Sequence, residues 1–116
     1  MLDHVSIQCA DMAASASFYD AVLAPLGGQR IMDFGVAIGY GTPQRPDFWI
    51  GAQNTGDGFR ESHLAFSAPS RDAVRSFFEA ARGGGLAQEA GDRLQVAVLV
   101  TGADPGHLRV HSRCQP

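Results

Sequence analysis

Two stretches of the chain repeat one order of apolar and polar positions. The first reads DHVSIQCADMAASASFYDAVLAPLGG from Asp3, and the second reads SHLAFSAPSRDAVRSFFEAARGGG from Ser62. One shared offset carries His4 onto His63 and the pair Phe18-Tyr19 onto Phe77-Phe78, which points to an internal duplication. Each copy opens on a short alternating run, Val5 to Cys9 or Leu64 to Phe66, that suits a strand buried on one face. A helix follows each run. In the first copy Asp11 or Ser15 can cap it, Phe18, Val22 and Leu26 recur at helical spacing, and Gly27-Gly28 stops it. In the second, Ser70 precedes Val74, Phe77, Phe78 and Ala81, and Gly83-Gly84-Gly85 ends the turn.

Three further runs, Gln29–Phe34, Val36–Tyr40 and Asp47–Ala52, have strand character and are separated by Gly, Pro and Asn. The first copy is therefore β-α-β-β-β. The second is thinner, with a weak strand at Leu86–Gly91 and stronger ones at Leu94–Thr101 and His107–Arg113. The expected fold is α+β, a single domain over 1–116 made of two βαβββ modules, about 1–58 and about 59–116, the second one shortened. Such modules pack as curved mixed sheets with helices on their convex sides, leaving a funnel between the concave faces.

Alternation decides which side chains point into that funnel. With Val5, Ile7 and Cys9 packed inward, His4, Ser6 and Gln8 take the opposite face, and His63, Ala65 and Ser67 do the same opposite Leu64, Phe66 and Ala68. On the last strand Leu108 and Val110 pack, leaving Arg109, His111 and Arg113. His4, His63 and His111 thus stand on non-core faces of three strands, and neutral imidazole is a common ligand of transition metals. Glu61 lies two positions before His63 and is the nearest candidate for a general base. Trp49, Phe48, Tyr40 and Phe34 supply aromatic surface for an organic ligand; Trp49 has the parity opposite to Phe48 and Ile50, so either it or they line the funnel. Arg109 and Arg113 share the histidine face and could grip a carboxylate or phosphate.

Composition narrows the field of partners. The net charge is -3 with a pI of about 5.7, so nothing draws the chain broadly to nucleic acid or to anionic membranes. All 9 basic residues are Arg, and without Lys no Schiff base can form. Cys9 and Cys114 have no CxxC spacing, which indicates neither a redox pair nor a zinc knuckle, and a reducing cytoplasm is the expected compartment. No leader or membrane-spanning stretch is evident. Phosphate-binding glycine loops and the GxSxG elbow are absent as well.

The segments LDHVSI, SFYDAVLAPLG, PDFWIG and SHLAFSAPSRDAVRSFFEAA, with the late Asp-Pro-Gly turn, resemble the glyoxalase/bleomycin resistance/dioxygenase family, also called vicinal oxygen chelate proteins. The likeness covers most of the chain up to Gly85 and weakens beyond it. It implies paired βαβββ modules around a ligand- or metal-binding funnel, a homodimer, and histidines on the first strand and at the start of the second module, which His4 and His63 match. It also implies a glutamate on the final strand. Aligned from Asp104-Pro105, His111 falls at that position, whereas a shift of one residue would put Val110 there. The functions implied are a metal-dependent enzyme of glyoxalase or dioxygenase type, holding Zn, Mn, Fe or Ni against a small substrate with neighbouring oxygens, or a metal-free protein that sequesters a small molecule.

Overall fold

The structure, a computed structural model, describes residues 1–52, 62–83, 94–100 and 108–110, with positions 62–63, 94–100 and 108–110 described in the backbone alone. The opening alternation forms strand β1 (Val5–Cys9), after which Asp11 caps helix α1 (Met12–Leu23). The Asp11 carboxylate accepts the Ala14 N–H at 3.0 Å, supplying a partner to a backbone donor that the helix cannot satisfy itself. Ser15, the alternative cap, is buried within the helix. Asp11→Ala should lower stability by about 1 kcal/mol, measurable as a fall in the urea midpoint. A 3₁₀ turn, Ala24–Leu26, closes the helix on Gly27, whose φ of 81° is the left-handed conformation that side-chain-bearing residues avoid.

Strands β2 (Gln29–Asp33), β3 (Ala37–Thr42) and β4 (Arg45–Ala52) complete the first module. They form a mixed sheet A in the order β1-β4-β3-β2, with β1 and β4 parallel and the other neighbours antiparallel. The second copy supplies β5 (Ser62–Ala68) and α2 (Arg71–Gly83), with Ser70 capping the Ala73 N–H at 3.1 Å. Strands β6 (Leu94–Val100) and β7 (Leu108–Val110) follow, in a sheet B of order β5-β6-β7. Again the strand before the helix pairs in parallel with a later one, β5 with β6, so the repeat is structural as well as sequential. The expected weak strand at 86–91 lies outside the described residues.

Both sheets contribute to one core. From sheet A, Val5, Ile7, Cys9, Ile38, Tyr40, Phe48 and Ile50 pack toward α1, and Leu64, Phe66 and Ala68 of β5 join them with Val74, Phe77 and Ala81 of α2. Phe48 and Phe66 meet edge to face at 5.2 Å, joining the two sheets. This packing corrects part of the sequence expectation about the funnel. Tyr40 is 1% exposed with its hydroxyl donating to the Ala16 carbonyl, and Phe48 is 3% exposed, so neither ring can reach a ligand on the opposite face. Burial pushes the Tyr40 hydroxyl far above the usual phenol range.

Arg30, opposite Tyr40 in register, ties helix to sheet. Its guanidinium donates to Asp20 of α1 at 2.6 and 3.2 Å and to Asp33 at 2.8 Å. The Gly35 N–H donates to Asp33, and with Arg30 it holds that carboxyl below its ordinary 3.8. A depressed folded-state pKa contributes stability above the unfolded value and loses it as pH falls through the folded one. Protonating Asp33 therefore weakens the β2–β3 turn only below pH 3.8, and the protection of the Gly35 amide relative to its intrinsic exchange rate should fall there in hydrogen-exchange NMR.

Candidate functional site

Among the described residues, the side of sheet A away from α1 has its side chains interrupted by Gly39 and Gly51. Register pairs Met32 of β2 with Gly39 of β3, Gly39 with Trp49 of β4, and Trp49 with Ser6 of β1, so these four residues form one row across the open face. Ala37, Gly51 and Gln8 make the next row. A Cβ at Gly39 would lie only 2.8 Å from the Trp49 indole, so the ring rests on bare backbone that a larger residue would deny it. The same construction at Gly51 brings the Ser6 hydroxyl to 3.9 Å, which places Ser6 on this face beside the indole. Phe34, in the turn after β2, lies parallel to Trp49 within 2°, with centroids 6.2 Å apart.

His4 continues the parity of Ser6 and Gln8 at the edge of this face and is exposed. Its Nδ1 lies 2.9 Å from Asp3 Oδ1, while Arg45 at the start of β4 donates to the Asp3 carboxylate at 3.1 Å and to its carbonyl at 3.0 Å. The hydrogen bond from His4, with Arg45 adding its charge, holds the Asp3 carboxyl below the usual carboxylate range. An ionised carboxylate can only accept, so Nδ1 carries the hydrogen and a neutral His4 presents the lone pair of Nε2 outward. A carboxylate that orients a histidine in this way is the usual outer support of a metal-ligating imidazole.

The remaining candidates are placed less fully. His63 lies in β5 opposite Gln95 and Arg109 lies in β7 opposite Ala97, both known by their backbone alone. Glu61 and His111 lie outside the described residues. Strand β7 stands beyond β6 from β5, so about 10 Å of sheet separates the backbones of the strands bearing His63 and leading to His111. Among the described residues no group of three His, Cys, Asp or Glu side chains gathers to hold a metal. His4 fits the part of one ligand, and the described side chains supply no others to complete a set.

Two parts of this face were absent from the sequence expectation. Gly39 and Gly41 alternate with Ile38 and Tyr40, a pattern that marks a strand face without side chains. Asp3 carries no such signal, because parity says nothing about a hydrogen bond to the adjacent residue.

No protein-family profile matches the chain, and no curated protein sequence does. Solved structures do match. A glyoxalase/bleomycin resistance protein from Albidiferax ferrireducens T118 is similar with a TM-score of 0.62 and 27% identity, over 72% of this chain and 68% of that one. The genomically encoded fosfomycin resistance protein FosX from Listeria monocytogenes is similar in fold, with a TM-score of 0.52 and 12% identity over 97% of this chain and 82% of that one. No helix among the described residues is long and apolar enough to cross a membrane. With paired βα units, a mixed sheet and this likeness to solved structures, the chain has the fold of the glyoxalase/bleomycin resistance proteins, or vicinal oxygen chelate superfamily, that its sequence also resembles.

Proposed function

We propose that the chain binds a small organic molecule on the open face of sheet A, with Trp49 as the principal contact and Ser6 beside it. One observation carries this reading: the indole lies half-exposed on the bare backbone of Gly39, while the opposite face of the same sheet is packed full. A water-facing aromatic on a floor without side chains, bordered by a few polar groups, is what a small organic ligand requires. The likeness to a solved glyoxalase/bleomycin resistance protein supports the same assignment. Ligand-observed NMR with a library of phenols, heteroaromatics and organic acids tests it. Hits should map to Ser6, Gly39 and Trp49 and weaken at least tenfold in Trp49→Ala at an unchanged unfolding midpoint; hits that survive in this variant would overturn the assignment.

The Asp3–His4 hydrogen bond favours a second reading, a metal-dependent enzyme. In it His4 binds a divalent ion (Zn, Mn, Fe or Ni) through Nε2, His63 and His111 are the further ligands, and Glu61 is the base that takes a substrate proton. Such an ion, when bound, polarises two neighbouring substrate oxygens. His4→Ala and His63→Ala should each abolish stoichiometric metal in elemental analysis of untagged protein. Asp3→Ala should weaken metal affinity about 10- to 100-fold, the range seen when an outer-shell partner is lost. Absence of metal in the parent protein after loading with all four ions rejects this reading and leaves the first intact.

A further inference from the structure

We infer that Arg45 is a positioning residue: acting through Asp3, it decides which ring nitrogen of His4 is left free to bind at the edge of the open face. For its consequence the inference rests on the reading in which His4 is a metal ligand, and it adds to that reading the group that holds the imidazole ready.

Three observations carry it. The first is where strand pairing stops. The register between β1 and β4 begins at Val5 with Phe48, and continuing it outward sets Asp3 level with Pro46, which has no N–H to give to a ladder. Asp3 and His4 therefore precede the paired part of the strand. The second is what takes the ladder's place. The Arg45 guanidinium, 42 residues away along the chain, donates to the Asp3 carbonyl at 3.0 Å and to the Asp3 carboxylate at 3.1 Å. A planar fork that grips two atoms of one residue restrains its backbone and its side chain together. The third is how the Asp3 carboxylate is shared. Its Oδ1 takes the His4 Nδ1 at 2.9 Å while Oδ2 takes Arg45, so the group cannot turn without breaking one of the two bonds. The Asp3 side chain is 71% exposed, and a bond between neighbouring exposed side chains persists little in water by itself. Arg45 supplies the persistence. An imidazole left to water carries its hydrogen mainly on Nε2, the nitrogen that this arrangement leaves bare, because no partner then holds the hydrogen on Nδ1. Loss of Arg45 thus moves the hydrogen onto the outward nitrogen and removes its lone pair.

The ring itself reports the effect, without metal. In a long-range proton–nitrogen correlation spectrum at about pH 9, where imidazole is neutral, protonated and bare ring nitrogens resonate far apart. The chain has 4 histidines, and the signals of His4 are those missing in His4→Gln. The parent should show the His4 hydrogen on Nδ1. Arg45→Ala should move it predominantly to Nε2, and Arg45→Lys, which keeps the charge without the fork, should restore only part of the parental pattern. Asp3→Ala should reproduce Arg45→Ala, and the double variant should add nothing, because the effect passes through Asp3. An unmoved indole peak from the single Trp checks in each case that β4 keeps its place. A parent with its hydrogen on Nε2, retention of the Nδ1–H form in Arg45→Ala, or a further change in the double variant would overturn the inference.

Titration of the same proteins with zinc separates this role from the metal reading. Arg45→Ala should weaken zinc about tenfold, the lower end of the range for losing an outer-shell partner. Equal zinc affinity in the parent and in Arg45→Ala would overturn the inference. A parent that takes up no zinc, manganese, iron or nickel rejects the metal reading, while a change of tautomer in Arg45→Ala still upholds Arg45 as the residue that positions His4.

Discussion

Replacing Gly41 by alanine should destabilise the protein by about 3 kcal/mol or more, a large share of the roughly 5–15 kcal/mol that separates folded from unfolded chains. A Cβ at this position would stand 2.1 Å from the Arg45 carbonyl oxygen and 2.9 Å from the Pro46 Cα. Both are backbone atoms across the β3–β4 turn, so no change of rotamer relieves the clash. The register between these strands shifts between Tyr40 and Gly41, and that irregularity brings the chains close. Opening the turn would disturb the pairing that sets Trp49 against Gly39. Urea unfolding followed by far-ultraviolet circular dichroism should show a lower midpoint; a variant within about 0.5 kcal/mol of the parent, the usual effect of a neutral surface substitution, would contradict this account.

Phe48→Ala should cost about 3–5 kcal/mol, the range for removing a buried aromatic side chain. The ring touches Tyr19 at 4.9 Å, Tyr40 at 6.2 Å and Phe66 at 5.2 Å between centroids, so its loss leaves a cavity among elements of both sheets. The variant that remains folded should still bind open-face ligands with nearly parental affinity. Trp49→Ala should do the reverse, with small loss of stability and large loss of binding. Two adjacent aromatic residues would then separate into a structural one and a recognition one. Calorimetric unfolding together with NMR titration of both variants measures the difference, and loss of binding in folded Phe48→Ala would return that ring to the ligand site.

Much of the fold was legible before any coordinates. The duplicated pattern located β1, α1, β5 and α2, because alternation and helical spacing are local signals that survive packing. The inward set Val5, Ile7 and Cys9 also follows from period alone. Met32 shows where such reasoning fails. Simple alternation puts it on the same face as Arg30, toward the helix, but the register shift between Arg30 and Met32 turns it to the open face. A bulge is settled by what the neighbouring strand offers, which a period count along one strand does not contain.

The candidate site divides in the same way. Parity left the aromatic lining as Trp49 or its neighbours Phe48 and Ile50, and tertiary packing buries Phe48 and Ile50 beneath α1 and leaves Trp49 on the other face. His4 was visible as an imidazole on a non-core face, yet its tautomer depends on Asp3 and on Arg45, which reaches Asp3 from another strand.

Local sequence was therefore sufficient for β1, α1, β5 and α2 and for the family likeness, because each depends on residues a few positions apart. The sheet order, the bulge at Ile31, the seating of the indole on Gly39 and the Arg45 support of Asp3 were decided only in three dimensions. Each of these is a contact between strands distant along the chain, and its energy depends on which backbones come to lie side by side.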